Sequence, residues 1–377
     1  MLRRSLQHLL LLNAAVKFIS VYIGGGKADA CSAACCKRCG HGAFDFDLFR
    51  YAVGVICEEY DAVNFVFECT ELPLNTAFFR NVLRLEKEIS RRRGIKFRNM
   101  IKMADCVPKR SDVHFCQKHK IALELAFTDS QSMEHALAAS APKATQDRYA
   151  CISVKRYAGD ELARIYNFAK PYCQVLRLKQ LDLPATVLTN DDAVALLTRF
   201  KELFDMWIAD ADGIDMTPIS DHIRCGLGTG IEKECAYSSC LGKALALDAD
   251  GSIYICPHSK GEPFALGNIK NISLVSEAFD SEKFKQIVSA MIDKRSDCLK
   301  NCSIFHYCQS GCCADVICER QSTHFCTVLK EFDGYVRMQV MRILRQDEDL
   351  ARYNPAFASI IRDAVCMNPI VVGAGGN

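Results

Sequence analysis

The chain has 377 residues, half of them apolar, and its 47 basic and 45 acidic side chains leave a formal net charge of +2. Length and apolar content suffice for one large core with a smaller appended module, and the charge balance points to neither nucleic acid nor a strongly acidic partner. No run reaches the roughly 18 apolar residues of a membrane span, so no membrane partner is expected.

Residues Met1 to Ser20 carry Arg3, Arg4 and an apolar block Leu9–Leu12, broken at once by Asn13 and Lys17. No cleavage site follows, so a short helix leading into a strand Val16–Ile23 is expected, in a cytoplasmic, reduced protein. Gly24 to Gly26 form a turn into a cysteine-rich loop. Ala62–Phe67 is the next strand. Thr76–Arg92 is a helix with Phe79, Val82, Leu83 and Leu85 on one face, stopped by Gly94. Lys96–Met103, Ile121–Phe127, Ala150–Val154 and Gln174–Leu178 are further strands, with a helix Asp160–Lys170 before the last. Repeated strand–helix units of this length imply an α/β fold with a parallel sheet, and six of them curl into a partial (β/α)6 barrel. A helix Asp191–Asp210 follows, then short elements with one hairpin, Ala244–Ile255, turning at Asp248–Gly251. Val328–Arg345 returns to helical periodicity, and Gly373–Asn377 forms a tail. The expected division is a barrel over 1–210, a cysteine-rich module over 211–335 and a helical tail over 336–377.

Cysteine is the anomaly: there are 22, of which 11 fall from Cys225 to Cys326. Disulfides serve small secreted domains that lack a core, and this chain does not lack one. Zinc takes four ligands, usually as two closely spaced pairs. Cys235 and Cys240, then Cys256 beyond the hairpin, then Cys298, Cys302, Cys308 and Cys312 in the spacing C-x3-C-x5-C-x3-C, and finally Cys326 are eight thiols. Their uneven spacing favours two four-cysteine iron–sulfur clusters.

This pattern, with Gly251 five residues before Cys256 and the run Leu266-Gly267-Asn268-Ile269, resembles the SPASM extension of radical S-adenosylmethionine enzymes. The resemblance implies a first auxiliary [4Fe-4S] cluster on Cys235, Cys240, Cys256 and Cys312, and a second on Cys298, Cys302, Cys308 and Cys326. The family's usual C-x2-C is C-x3-C here, and Cys225, Cys313 and Cys318 fall outside the pattern as spectators.

Near the N-terminus Cys31, Cys35, Cys36 and Cys39 follow the first strand, at the barrel face where active sites collect. A radical-type cluster takes three thiolates from one loop and leaves its fourth iron for S-adenosylmethionine. The usual C-x3-C-x2-C spacing is altered, because Arg38 stands where the third cysteine belongs. Either Cys31, Cys35 and Cys39 or Cys31, Cys36 and Cys39 serve; the intact first gap favours Cys35. Within Phe65–Leu74, Glu71 and an offset Pro73 match the family's Gly-Gly-Glu-Pro motif, which meets the amino group of S-adenosylmethionine, but both glycines are replaced. Asn99–Asp105 occupies the place of a strand ending Thr-Asn-Gly.

Similarity is greatest to anaerobic sulfatase-maturating enzymes and related peptide maturases. It implies an enzyme that generates a 5′-deoxyadenosyl radical to modify a residue of a peptide or protein, with up to three [4Fe-4S] clusters, S-adenosylmethionine, and a ferredoxin or flavodoxin as electron donor. The family's aspartate after the hairpin cysteine is Pro257 here, which takes no proton; His258 follows and is a candidate proton acceptor, since histidine titrates in the range that role needs. The alternatives are a non-enzymatic iron–sulfur protein, acting as electron carrier or peptide scaffold, and a zinc-stabilised binding module.

Overall fold

The computed structural model describes residues 18–24, 45–69, 77–104, 106–127, 129–139, 148–153, 159–179, 189–217, 219–227, 241–257, 264–308, 323–346 and 349–367. In chain order the elements are β1 (Phe18–Gly24), α1 (Phe46–Ile56), β2 (Ala62–Cys69), α2 (Ala77–Arg93), β3 (Lys96–Ala104), α3 (Arg110–His119), β4 (Ala122–Phe127) and α4 (Ser130–Ala139). Then come β5 (Arg148–Ser153), α5 (Gly159–Ala169), β6 (Val175–Lys179), α6 (Asn190–Ile208), β7 (Asp215–Thr217) and α7 (Ile219–Gly226). The remainder is β8 (Ala244–Leu247), β9 (Ser252–Tyr254), β10 (Ala265–Asn268), α8 (Val275–Phe279), α9 (Glu282–Asn301), α10 (Phe305–Cys308), α11 (Thr323–Gln346) and α12 (Pro355–Met367). Apart from the short helix expected before the first strand, which lies outside the described residues, the strands and helices expected up to residue 210 are present with their ends moved by at most two residues. Where short elements are expected beyond residue 210, the chain also forms a 20-residue helix, α9.

Contacts divide the chain into two units, one of residues 1–126 and 239–293, the other of 127–238 and 294–377. In the first, the strand order is β10-β9-β8-β1-β2-β3-β4. β1 to β4 are parallel, β1 also takes β8 in parallel, and β8-β9-β10 continue antiparallel. Ile19, Val21 and Ile23 of β1 are buried, while Phe18, Ser20 and Tyr22 between them are half-buried, the period-2 signature of a strand with two different faces. One face is covered by α1 and α2. Phe49 of α1 has its ring centroid 5.1 Å from Phe65 and 6.0 Å from Phe67, and Phe79 of α2 lies 5.1 Å from Phe67. A fully buried ring of this kind stabilises by about 2–3 kcal/mol. α1 forms because Leu48, Phe49, Ala52, Val53, Val55 and Ile56 recur at helical spacing, so that all of them reach that face.

In the second unit β5-β6-β7 form a parallel ladder. α6 begins with a capping box in which the Thr189 hydroxyl accepts from the Asp192 amide at 3.2 Å and the Thr189 amide donates to the Asp192 carboxylate at 3.1 Å. Its apolar face packs on α11, with Phe200 and Phe204 at 5.4 and 6.3 Å from Phe332. The single tryptophan, Trp207, is fully buried and donates its indole N–H to the Ile214 carbonyl at 2.8 Å. Among the described residues no helix is long and apolar enough to cross a membrane.

Candidate iron–sulfur site

In the first unit, the hairpin β8–β9 is set by its turn. The Gly251 amide donates to the Asp248 carbonyl at 2.9 Å, and the Asp250 carboxylate accepts from the Ser252 amide at 2.8 Å. Gly251 has φ +90°, and a Cβ there would stand 2.8 Å from Asn268 Oδ1. Only glycine fits that close approach. The Asn268 amide donates to the Asp250 carbonyl at 3.0 Å, and the Gly251 carbonyl accepts from Ile269 at 2.8 Å. The glycine before the cysteine and the Leu-Gly-Asn-Ile run are thus two halves of one clasp. Cys256 follows β9 and is buried.

In the second unit, α9 delivers Cys298 in its last turn and Cys302 just past its end; the Cys302 amide donates to the Cys298 carbonyl at 2.9 Å. A three-residue gap is the helical spacing that puts two side chains one turn apart on one side. The C-x3-C departure therefore has a local cause: these two cysteines are carried by a helix end. Cys308 closes α10 and is buried, its amide bonded to the Ile304 carbonyl at 2.8 Å. Cys326 comes from the first turn of α11. Burial pushes its thiol up, and the charges of Cys298 and Cys302 push it further, against the pull of Lys330. Cys298 and Cys302 thus act electrostatically on Cys326, although Cys326 lies 24 residues beyond Cys302 in the chain. Among the described residues no three histidine, cysteine or carboxylate side chains converge as a single metal ion requires. A four-iron cube takes one thiolate per iron, and thiols are the donors such a group requires.

Cys31, Cys35, Cys36, Cys39, Glu71, Cys235, Cys240, His258 and Cys312 lie outside the described residues. Buried thiols elsewhere serve packing. Burial pushes Cys57 up to about 11 and Cys173 up to about 12, which keeps both protonated and unreactive at neutral pH.

Three charged residues escaped the sequence analysis. The strand registers align Glu68 with Lys102 and Lys102 with Glu124 on the sheet face opposite Phe65 and Phe67. The Lys102 ammonium lies 3.5 Å from a Glu68 oxygen and 3.9 Å from one of Glu124, which is buried. A signal existed: each of three successive apolar runs, Phe65–Phe67, Met100–Met103 and Leu123–Leu125, holds or adjoins one charged residue. Asn99, in the strand matched to Thr-Asn-Gly, faces the helices instead and donates to Glu86 of α2 at 2.7 Å.

Residues 235–313 match the family model SPASM, described as an iron-sulfur cluster-binding domain. The chain carries a SPASM domain. The thiols of α9 and α10 and the hairpin cysteine all fall within its span, and Cys326 lies beyond it. Two curated relatives, cysteine-type anaerobic sulfatase-maturating enzymes of two Clostridium perfringens strains, are 25% identical over 153 residues, 39% of this chain. The matched stretch spans only 41% of those relatives. Among solved structures, native anSMEcpe with bound AdoMet and Cp18Cys peptide superposes with a TM-score of 0.68 at 17% identity, over 86% of this chain and 98% of that one. Native anSMEcpe with bound AdoMet alone gives 0.66 at 16% identity, over 87% and 100%. The fold is the α/β fold of those solved structures, as the strand–helix alternation led us to expect, and residues 235–313 carry the SPASM match that the cysteine pattern pointed to.

Proposed function

We propose that the protein is a radical S-adenosylmethionine enzyme that modifies a residue of a peptide or protein substrate. The observation that carries this is the SPASM match over residues 235–313, whose span holds Cys256, Cys298, Cys302, Cys308 and Cys312 in the expected spacing. It is supported by the fold, whose solved relatives include one with AdoMet and a peptide bound. The proposed division is a barrel over 1–210, the SPASM module over 211–335 and a helical tail over 336–377.

Cys31, Cys39 and either Cys35 or Cys36 would hold the cluster that binds S-adenosylmethionine, with Glu71 receiving its amino group. Cys235, Cys240, Cys256 and Cys312 would hold the first auxiliary cluster, and Cys298, Cys302, Cys308 and Cys326 the second. When bound, these groups supply a 5′-deoxyadenosyl radical and the electron traffic that accompanies it. The chain's own part is to orient substrate, exclude water and move protons. Glu68, Lys102 and Glu124 offer charged groups on the sheet face away from the helices, and His258 offers a proton acceptor beside Pro257. A second proposal, an iron–sulfur protein without catalysis, is favoured by Arg38 at the third cysteine position and by the two lost glycines.

One experiment decides between them. Anaerobically reconstituted protein, given dithionite, should convert S-adenosylmethionine to 5′-deoxyadenosine, and Cys31→Ala should abolish that conversion. Full loading with iron and sulfide but no 5′-deoxyadenosine, even with candidate peptides, leaves the non-catalytic protein; stoichiometric zinc without sulfide removes both.

A further inference from the structure

α11 presents two unlike faces. Val328, Leu329, Phe332, Val336, Val340 and Ile343 are buried and tie the helix into its unit. Opposite them Met338 is 59% exposed, Met341 47% and Leu344 39%, three apolar side chains in a row at spacings of three. On α11 itself the exposed Lys330, Arg337, Arg342 and Arg345 supply four cations against one exposed carboxylate, Glu331, with Asp205 of α6 beside them accepting from the Tyr335 hydroxyl at 2.6 Å. Arg337 is held in place by a 2.7 Å bond from its Nε to Asp333.

Gly334 lies on the same exposed face, in the interior of a 24-residue helix. Glycine there destabilises the helix relative to alanine. No atom lies within 4 Å of where its Cβ would be, so internal packing does not demand it. A partner that approaches the helix backbone would.

We propose that this outer face of α11 is the docking surface for a small acidic electron-carrier protein, the reductant that the function proposed above requires, on which this inference rests. An apolar centre of three side chains suits the small footprints of transient redox encounters, below about 1,200 Å². A basic rim steers an acidic partner to it at a rate that falls with salt. Methionines adapt to a partner surface without a fixed shape. The face also begins in the right place: Lys330 stands one helical turn after Cys326 on the same helix. A docked carrier would give up one electron to a cluster of the protein and leave oxidised. A second copy of this chain fits less well, because a twofold contact would oppose four cations with the same four.

The test uses the holoprotein, a ferredoxin as probe, and an optical binding assay at low and high salt. Wild type should bind, with affinity falling as salt rises. Met338→Glu with Met341→Glu, and separately Arg342→Glu with Arg345→Glu, should each weaken binding at least tenfold. Gly334→Ala should raise the melting temperature yet weaken binding. Dithionite-driven 5′-deoxyadenosine formation should be the same in every variant, since dithionite needs no docking. Ferredoxin affinity that is absent in wild type, or unchanged in the variants, overturns the proposal. So does a face that instead mediates self-association or adsorption to anionic vesicles, in sedimentation or vesicle pull-down. Loss of dithionite-driven activity from wild type, with ferredoxin docking intact, would count against the enzyme and not against the surface.

Discussion

Glu86 shows how one side chain can make stability depend on pH. It is buried on α2 with a single short bond, from the Asn99 amide, and burial pushes its carboxyl up to about 7 while that bond pulls the other way. The folded state therefore holds the proton more tightly than the unfolded chain, where the group titrates near 4.5. Below pH 4.5 the group carries no penalty. Between pH 4.5 and about 7 stability is lost as the carboxylate is forced to ionise in a dry site, by up to about 3 kcal/mol. Glu86→Gln should thus raise stability in urea titrations at pH 8 by roughly 1–3 kcal/mol and leave it nearly unchanged at pH 4; equal effects at both pH values would refute the mechanism. Nothing in the sequence around Glu86 announced this, because the residue reads as one more polar position on an amphipathic helix. Its burial comes from β3, which contributes Asn99 across the contact.

Among the elements, the β8–β9 hairpin was legible because its cause is local: one residue of positive φ, two aspartates and a serine fix the turn within five positions. The clasp to Asn268 was legible only as a resemblance, since the bond closes across 18 residues. Gly251→Ala should cost stability twice over, through backbone strain and through displacement of Asn268. We expect a loss of about 2–3 kcal/mol in equilibrium unfolding, whereas Gly267→Ala should cost less, through backbone strain at φ +127° alone, because nothing stands within 4 Å of a Cβ there. α9 was misjudged for a physical reason. Cysteines at its C-terminal end look like a loop in composition, while the residues that make the helix, Phe284, Ile287, Val288 and Met291, precede them at helical spacing. The charged face of α11 stayed hidden too, since a net charge of +2 says nothing of how cations cluster on one helix.

On the scale of the whole molecule, the proposed second cluster would tie the C-terminal end of α9 to α11, segments far apart in sequence. Metal binding should then act as folding energy. Reconstituted protein should melt several degrees above the apoprotein in anaerobic scanning calorimetry, and Cys326→Ala should remove a large part of that gain while lowering bound iron and sulfide by about one cluster's worth. Identical melting of the apo and loaded forms would show that the thiols hold no structural metal group. The fold class was legible because strand–helix alternation is written residue by residue. The pairing of β1 with β8 was not, because no local pattern says which distant strand will take an open edge.

That pairing sets a condition on how the protein is made. Ser20 to Ile23 hydrogen-bond alongside Ala244 to Leu247, so one edge of β1 has no native neighbour until more than two hundred further residues have left the ribosome. At about 5–20 residues per second this is a wait of roughly 10–45 s. Throughout it, a strand carrying Ile19, Val21 and Ile23 offers its backbone to any other nascent chain in a polysome. A chaperone that shields β1, or slow growth that spaces ribosomes apart, would therefore raise the soluble yield.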